Sequence, residues 1–261
     1  MDLTGLTALV TGGGSGIGRS TARRLAGEGM KVCVVDLDEA AATAVAEEVG
    51  GVPIPADVAD RSALEDAFER CLETFGRIDV AHLNAGVSLP PGDIADLDAE
   101  SYRRSLAVNI DHVVFGTGAA VRAMRLTAAE GRPRAVVATS SLAGIDPFFP
   151  NAIYTLTKHA VVGFIRALAP ELATEGIGAH VICPGLTDTA MVPQDRKAAL
   201  IQAGMPLVEP EQIADAVLAA IGSPLEVTGT CWIGNPGQPP LRWVYAEVPG
   251  PHKRINIPNR R

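Results

Sequence analysis

The sequence predicts one α/β domain, a doubly wound parallel sheet of about seven strands with helices on both faces. Short β-rich runs alternate with longer helical stretches, the order expected of parallel strands joined by crossover helices. The strand runs are near-continuously apolar, which fits strands buried on both faces. Ligands of such sheets bind beyond the carboxyl ends of the strands. The motifs that carry chemistry in this chain fall at such ends.

The elements follow in order. "LTALVT" (6–11) reads as the first strand, then a glycine-rich turn and a helix to about Glu28. "KVCVVD" (31–36) is the second strand, followed by an alanine-rich helix from about Asp38 to Val49. "VPIPAD" (52–57) is a weaker third strand because proline cannot donate to a ladder. A helix over about 62–75 leads to "DVAHLNAG" (79–86), the fourth strand and its exit. One long helix is expected over 99–125, then "RAVVATSS" (134–141) as the fifth strand. A helix spanning 151–175 precedes "IGAHVICPG" (177–185), the sixth strand, and "VTGTCWIG" (227–234), the seventh. There is no internal repeat and no linker, so residues 1–261 read as a single domain with its core over about 4–234.

Composition narrows the function classes. Apolar residues are 47% of the 261, enough for a packed core, and aromatics only 4%, so aliphatic side chains and alanine fill it. A net charge of −8 without a Lys/Arg stripe argues against nucleic acid and anionic membranes as partners. No uncharged apolar run reaches the roughly 18 residues of a membrane span. Cys33, Cys71, Cys183 and Cys231 are far apart, and Cys33 and Cys183 sit inside apolar runs, as small buried hydrophobes do. The opening residues, with acidic Asp2 and a strand pattern from Leu6, do not read as a secretory leader. A reduced, cytoplasmic protein is expected. The five histidines lack the spacing of a helical metal site, so no metal is expected.

"VTGGGSGIGRS" joins the first strand to the first helix. Gly12, Gly16 and Gly18 stand where the backbone must turn, approach a ligand and let the helix pack closely. The helix N-terminus then offers free N–H groups to a pyrophosphate. Asp36 ends the second strand, 18 residues after Gly18, where a carboxylate can accept hydrogen bonds from ribose hydroxyls and repel a 2′-phosphate. No basic residue lies in the loop before Gly18, so NAD is favoured over NADP. Asp38 and Asp60 read as helix-start residues. In "NAIYTLTKHA" (151–160), Tyr154 and Lys158 lie one helical turn apart, where an ammonium would lower the phenol's pKa.

Taken together these residues resemble the short-chain dehydrogenase/reductase family, in its shorter single-domain branch, over about residues 4–234. The resemblance rests on T-G-x-x-x-G-x-G at 11–18, Asp57-Val58, N-A-G at 84–86, Asn109, Ser141, Tyr154-x-x-x-Lys158 and Pro184-Gly185. Tyr154 follows Ser141 by 13 residues, the family's usual spacing, which selects Ser141 over Ser140. The resemblance implies a Rossmann-like fold and an NAD-dependent oxidoreductase acting on CH–OH groups. In it Ser141 would bond the substrate oxygen and Tyr154 would act as general base or acid. Lys158 would bind the nicotinamide ribose and lower the Tyr154 pKa, and Asn109 would hold a water linking the lysine to solvent.

The resemblance also implies a cofactor site. Gly12, Ser15, Gly16, Ile17 and Gly18 would meet the phosphates and Asp36 the ribose. Asp57 and Val58 would meet the adenine, and Asn84, Ala85 and Gly86 would border the cofactor. Pro184, Gly185, Thr187 and Thr189 would lie at the nicotinamide. Two departures stand out: Leu83 replaces an asparagine before Asn84, and His180 replaces one in the sixth strand. Both read as structural variations.

Leu142, Ala143, Phe148, Phe149, Met191 and Val192, with Leu89 and Pro90 at the rim, are the expected pocket residues. They are largely apolar, with no lysine or arginine evidently placed as a clamp. An uncharged, fairly hydrophobic secondary alcohol or ketone is therefore expected as substrate. Residues 187–208 are expected to form a mobile lid, with Pro193, Gly204 and Pro206 bounding any helix in it. The tail, 235–261, holds six prolines and reads either as an extended arm that packs on a neighbouring subunit or closes a pocket, with Trp243 and Tyr245 as anchors, or as a loosely ordered terminus. The resemblance implies a homotetramer or dimer. A non-catalytic NAD(H)-binding regulator or redox sensor is the competing reading. A sugar-nucleotide epimerase of the family's longer branch fits less well, because Ser15 occupies its middle glycine position.

Overall fold

Strand β1, Thr7–Thr11, is buried at every residue. Its neighbours Leu9 and Val10 point to opposite faces, one into each of two cores. The molecule is a computed structural model that describes residues 1–88, 93–127, 132–149 and 151–245. After β1 come α1 (Gly16–Gly27), β2 (Lys31–Asp36), α2 (Glu39–Val49), β3 (Val52–Pro55), α3 (Arg61–Phe75) and β4 (Val80–Leu83). Then follow α4 (Ala99–Leu106), α5 (His112–Leu126), β5 (Ala135–Thr139), α6 (Ala152–Ala173) and β6 (Gly178–Pro184). The chain continues through α7 (Gln194–Gln202), α8 (Pro210–Ile221), β7 (Cys231–Gly234) and β8 (Leu241–Trp243).

The strands lie in the order β3-β2-β1-β4-β5-β6-β7-β8. All pairs from β3 to β7 are parallel. The order reverses between β1 and β4, and that switch point opens the crevice in which such sheets hold ligands. One core packs α3, α5 and α6 on the sheet through Phe68, Met124 and Ile165. The other packs α1, α2 and α8 through Leu25, Val45 and Ile213. Asp38 and Asp60 do cap α2 and α3, accepting from the amides of Ala41 and Ser62. The four cysteines are buried thiols.

Three expectations need correction. The sheet has eight strands, because β8 in the tail pairs antiparallel with the edge of β7. Three exposed residues at an edge carry no burial pattern to announce them. The helix expected over 99–125 is broken by a wide π-turn, Ala107–Asp111, between α4 and α5. Helix α8 was not expected, although the backbone N–H of Glu209 donates to Gln212 Oε1 and Pro210 opens its first turn, both start signals. Helix α7 lies inside the expected lid, between Pro193 and a left-handed Gly204. Among the described residues no helix is long and apolar enough to cross a membrane.

Candidate active site

The carboxyl ends of the strands surround a cavity of about 820 Å3. The β1–α1 loop contributes Gly12, Ser15, Gly16 and Ile17. Gly12 has φ +61°, and a Cβ there would sit 3.0 Å from the Ala85 Cα, so the turn and the approach both require glycine. Gly18 lies one layer behind the wall, where a Cβ would be 2.0 Å from the Gly12 carbonyl oxygen. The side chain of Ser15 makes no capping bond, and no acid occupies the first turn of α1. The amides of α1 therefore remain available to an anion from the cavity.

Asp36 lines the cavity at the end of β2. Its Oδ2 accepts from the Gly14 amide at 2.8 Å and its Oδ1 from Asp38 at 3.0 Å. These two bonds fix the carboxylate at the cavity wall. A glycine loop with open helix amides and a fixed carboxylate fits a dinucleotide.

Asp57 and Val58 line the same cavity. The Asp57 carboxylate is already engaged. Arg104 donates to its Oδ2 at 2.7 Å and holds its pKa below the usual carboxylate value. An adenine amino group would have to share Asp57 with Arg104, a contact the sequence did not signal. Asn84, Ala85 and Gly86 border the cavity, and Asn84 also ties strands together. Its Nδ2 donates to Thr11 O at 3.1 Å and its Oδ1 accepts from Thr139 Oγ1 at 3.1 Å. Beneath it, His82 bonds Thr139 Oγ1 and His112 bonds Thr11 Oγ1. Burial pushes these imidazoles down to about 3 and about 4, so both are neutral.

Ser141, Tyr154 and Lys158 share the cavity wall. The Ser141 side chain acts on the Tyr154 phenol and pulls its pKa down. Its amide donates to Asn151 Oδ1 at 2.9 Å, so Asn151 caps α6 and sets the tyrosine in its first turn. An asparagine just ahead of a helix is a legible cap, and this one was not singled out from sequence. Lys158 is 3% exposed, its Nζ donating to Thr139 O at 3.1 Å. That nitrogen lies 5.5 Å from the centre of the Tyr154 ring.

The expected lowering of the Tyr154 pKa is not found. Burial pushes the phenol up from its ordinary value, and Ser141 offsets only part of this. Burial also pushes the Lys158 ammonium down, to about 8. Both groups have lost water, and desolvation is the largest cause of each shift.

Asn109 sits in the π-turn rather than on the cavity wall. Its Oδ1 accepts from Val87 N and its Nδ2 donates to Val87 O, both at 2.8 Å, and to Thr157 Oγ1 at 3.2 Å. The asparagine is thus satisfied in the interior and sits in a π-turn, a form often found at functional sites.

Pro184, Gly185, Thr187 and Thr189 line the cavity, as do Leu142, Ala143, Phe148, Met191 and Val192. Phe149 does not: it is 94% exposed, because the loop turns it outward. Leu89 and Pro90 lie outside the described residues. Two cations reach the wall that were not expected there, Arg104, paired with Asp57, and Arg196, exposed on α7. Within residues 187–208, Lys197 forms an ion pair with Asp188. The two departures are structural. Leu83 is buried against Gly116, and His180 bonds Ser223 and Trp232. Among the described residues no cluster of His, Cys, Asp or Glu is arranged to hold a metal.

Residues 6–199 match the family model described as short chain dehydrogenase. The 3beta-hydroxysteroid dehydrogenase 2 of Eggerthella lenta is 34% identical over 192 residues, 72% of this chain and 73% of that protein. The human 15-hydroxyprostaglandin dehydrogenase [NAD(+)] is 34% identical over 202 residues, 74% of this chain and 72% of that one. Among solved structures, a 3-ketoacyl-(acyl-carrier-protein) reductase from Brucella melitensis complexed with NADH superposes with a TM-score of 0.81 at 29% identity, covering 90% of this chain and 98% of that one. A short chain dehydrogenase from Burkholderia cenocepacia in complex with NADP also gives 0.81, at 31% identity, covering 89% and 97%. The cavity, its glycine loop and its Ser141–Tyr154–Lys158 wall thus sit in a chain that belongs to the short-chain dehydrogenase family.

Proposed function

We propose that this protein is an NAD-dependent oxidoreductase that interconverts a fairly hydrophobic, uncharged secondary alcohol and its ketone. The observation that carries the reading is the placing of Ser141, Tyr154 and Lys158 on the wall of the cavity that the glycine loop and Asp36 also line. Relatives named for 3beta-hydroxysteroids and 15-hydroxyprostaglandin support a secondary alcohol. The preference for NAD rests on Asp36, whose fixed carboxylate would stand beside a 2′-phosphate.

Bound NAD supplies the hydride acceptor. Ser141 holds the substrate oxygen by a hydrogen bond. Tyr154, beside Ser141, exchanges the proton with that oxygen. Lys158 donates to a ribose hydroxyl and stands as the cation behind the phenol. Because the protein by itself holds the phenol above its ordinary pKa, efficient exchange depends on positive charge brought into the filled site. Asn109, bonded to Val87 and Thr157, holds the relay water that links Lys158 to solvent.

In this reading the protein is a homodimer or tetramer built partly on the 99–125 segment, α4 to α5, and on α6, in the reducing cytoplasm. The alternative is a regulator that binds NAD(H) without turnover. NADH formation from NAD across a panel of secondary alcohols, with NADP as the competing cofactor, tests the function. Size-exclusion with light scattering tests the assembly.

A further inference from the structure

A smaller hollow of about 320 Å3 lies against the main cavity. Leu142, Ala143 and Phe148 face both spaces. Ile233 at the end of β7 and Trp243 on β8 supply much of the remaining wall. The hollow is far larger than the ~30 Å3 share of one water. Three large apolar side chains leave surface open there, Leu142 at 36%, Phe148 at 39% and Trp243 at 41%. Clustered exposed apolar surface of this kind marks a place that something covers.

The hollow adjoins the reacting groups through the chain itself. Leu142 follows Ser141 directly, and its Cδ1 would lie 3.6 Å from a Cβ on Gly185, a residue of the main cavity. A substrate whose carbinol meets Ser141 and Tyr154 can therefore run on past Leu142 toward Trp243. Among the described residues Asp146 is the one charged group on the hollow's wall, and it disfavours an anionic tail.

We propose that this hollow is a second substrate subsite, which takes the distal apolar part of an extended, uncharged secondary alcohol, with Trp243 as its specificity-determining wall. The inference rests on the alcohol–ketone reading of the main cavity. The tail strand thus completes a binding surface: the pairing of β8 with β7 sets Trp243 across from Cys231, on a wall shared with Ile145 and Phe148.

The test compares wild type with Trp243→Ala and Trp243→Phe on two alcohols, cyclohexanol and a 3β-hydroxysteroid, using NAD. Trp243→Ala is expected to lower kcat/KM for the steroid tenfold or more, through KM, and to change that for cyclohexanol by less than twofold. Trp243→Phe is expected to restore most of the loss. An equal effect on both alcohols, or none on the steroid, overturns the subsite. Tryptophan emission, taken as the difference between wild type and Trp243→Phe, reads binding without turnover. A saturable blue shift on adding the steroid supports the subsite even if no alcohol turns over, an outcome that would sink the catalytic reading alone. Steroid turnover without such a shift overturns the subsite alone, and neither signal overturns both.

Discussion

The Lys158 Nζ lies 5.5 Å from the centre of the Tyr154 ring, and burial pushes the two groups toward their neutral forms. The lysine titrates at about 8 in the folded chain and at its ordinary 10.5 in the unfolded one. Between these values the unfolded chain holds a proton that the folded chain has released, so stability rises with pH across that window. Below pH 8 the penalty is constant. The stability of wild type relative to Lys158→Met is expected to rise by up to about 3 kcal/mol from pH 8 to 10.5, at about 1.4 kcal/mol per pH unit. Denaturant unfolding of both proteins across that range measures it, and a flat difference would show that Lys158 is not desolvated as described.

Asp36 is held by the amides of Gly14 and Asp38. Asp36→Ala is expected to lower the NAD-over-NADP ratio of kcat/KM tenfold or more while the protein stays folded. Steady-state kinetics with both cofactors checks this, and an unchanged ratio would remove the basis for NAD preference.

Gly18 has no room for a methyl group, since a Cβ would meet Gly12 O at 2.0 Å and Asn84 Nδ2 at 2.8 Å. Gly18→Ala must displace the loop from α1. It is expected to weaken NADH binding at least tenfold and to destabilise the fold by about 1–3 kcal/mol, as overpacking does. Fluorescence titration with NADH and thermal unfolding measure the two effects.

Much of this site was legible because its signals are local. The glycine spacing, an acid at a strand end and a Tyr–Lys pair one turn apart are all readable within a few residues of each other. The buried strand runs placed them at the carboxyl ends of a parallel sheet, and most of the element ends shift only by the residue or two over which ends fray. What escaped depends on partners far along the chain. Arg104 finds Asp57 across 47 residues, and Asn109, in the π-turn, finds Val87 across 22. The β8 strand exists only because β7 offers it an edge. Phe149 carries the same hydrophobic signal as Phe148, and only the loop's path separates their fates. The upward push on the Tyr154 pKa in the protein by itself was not legible, because helical spacing reports a neighbour's charge but not the burial of both groups.

The central claim is that Tyr154 exchanges the substrate proton. Its direct test is NADH formation by wild type and Tyr154→Phe on the same secondary alcohol, with NADH affinity measured in parallel. The account predicts a fall in kcat of about 10²–10⁴-fold with NADH binding kept within a few-fold. Turnover by Tyr154→Phe at the wild-type rate would contradict it.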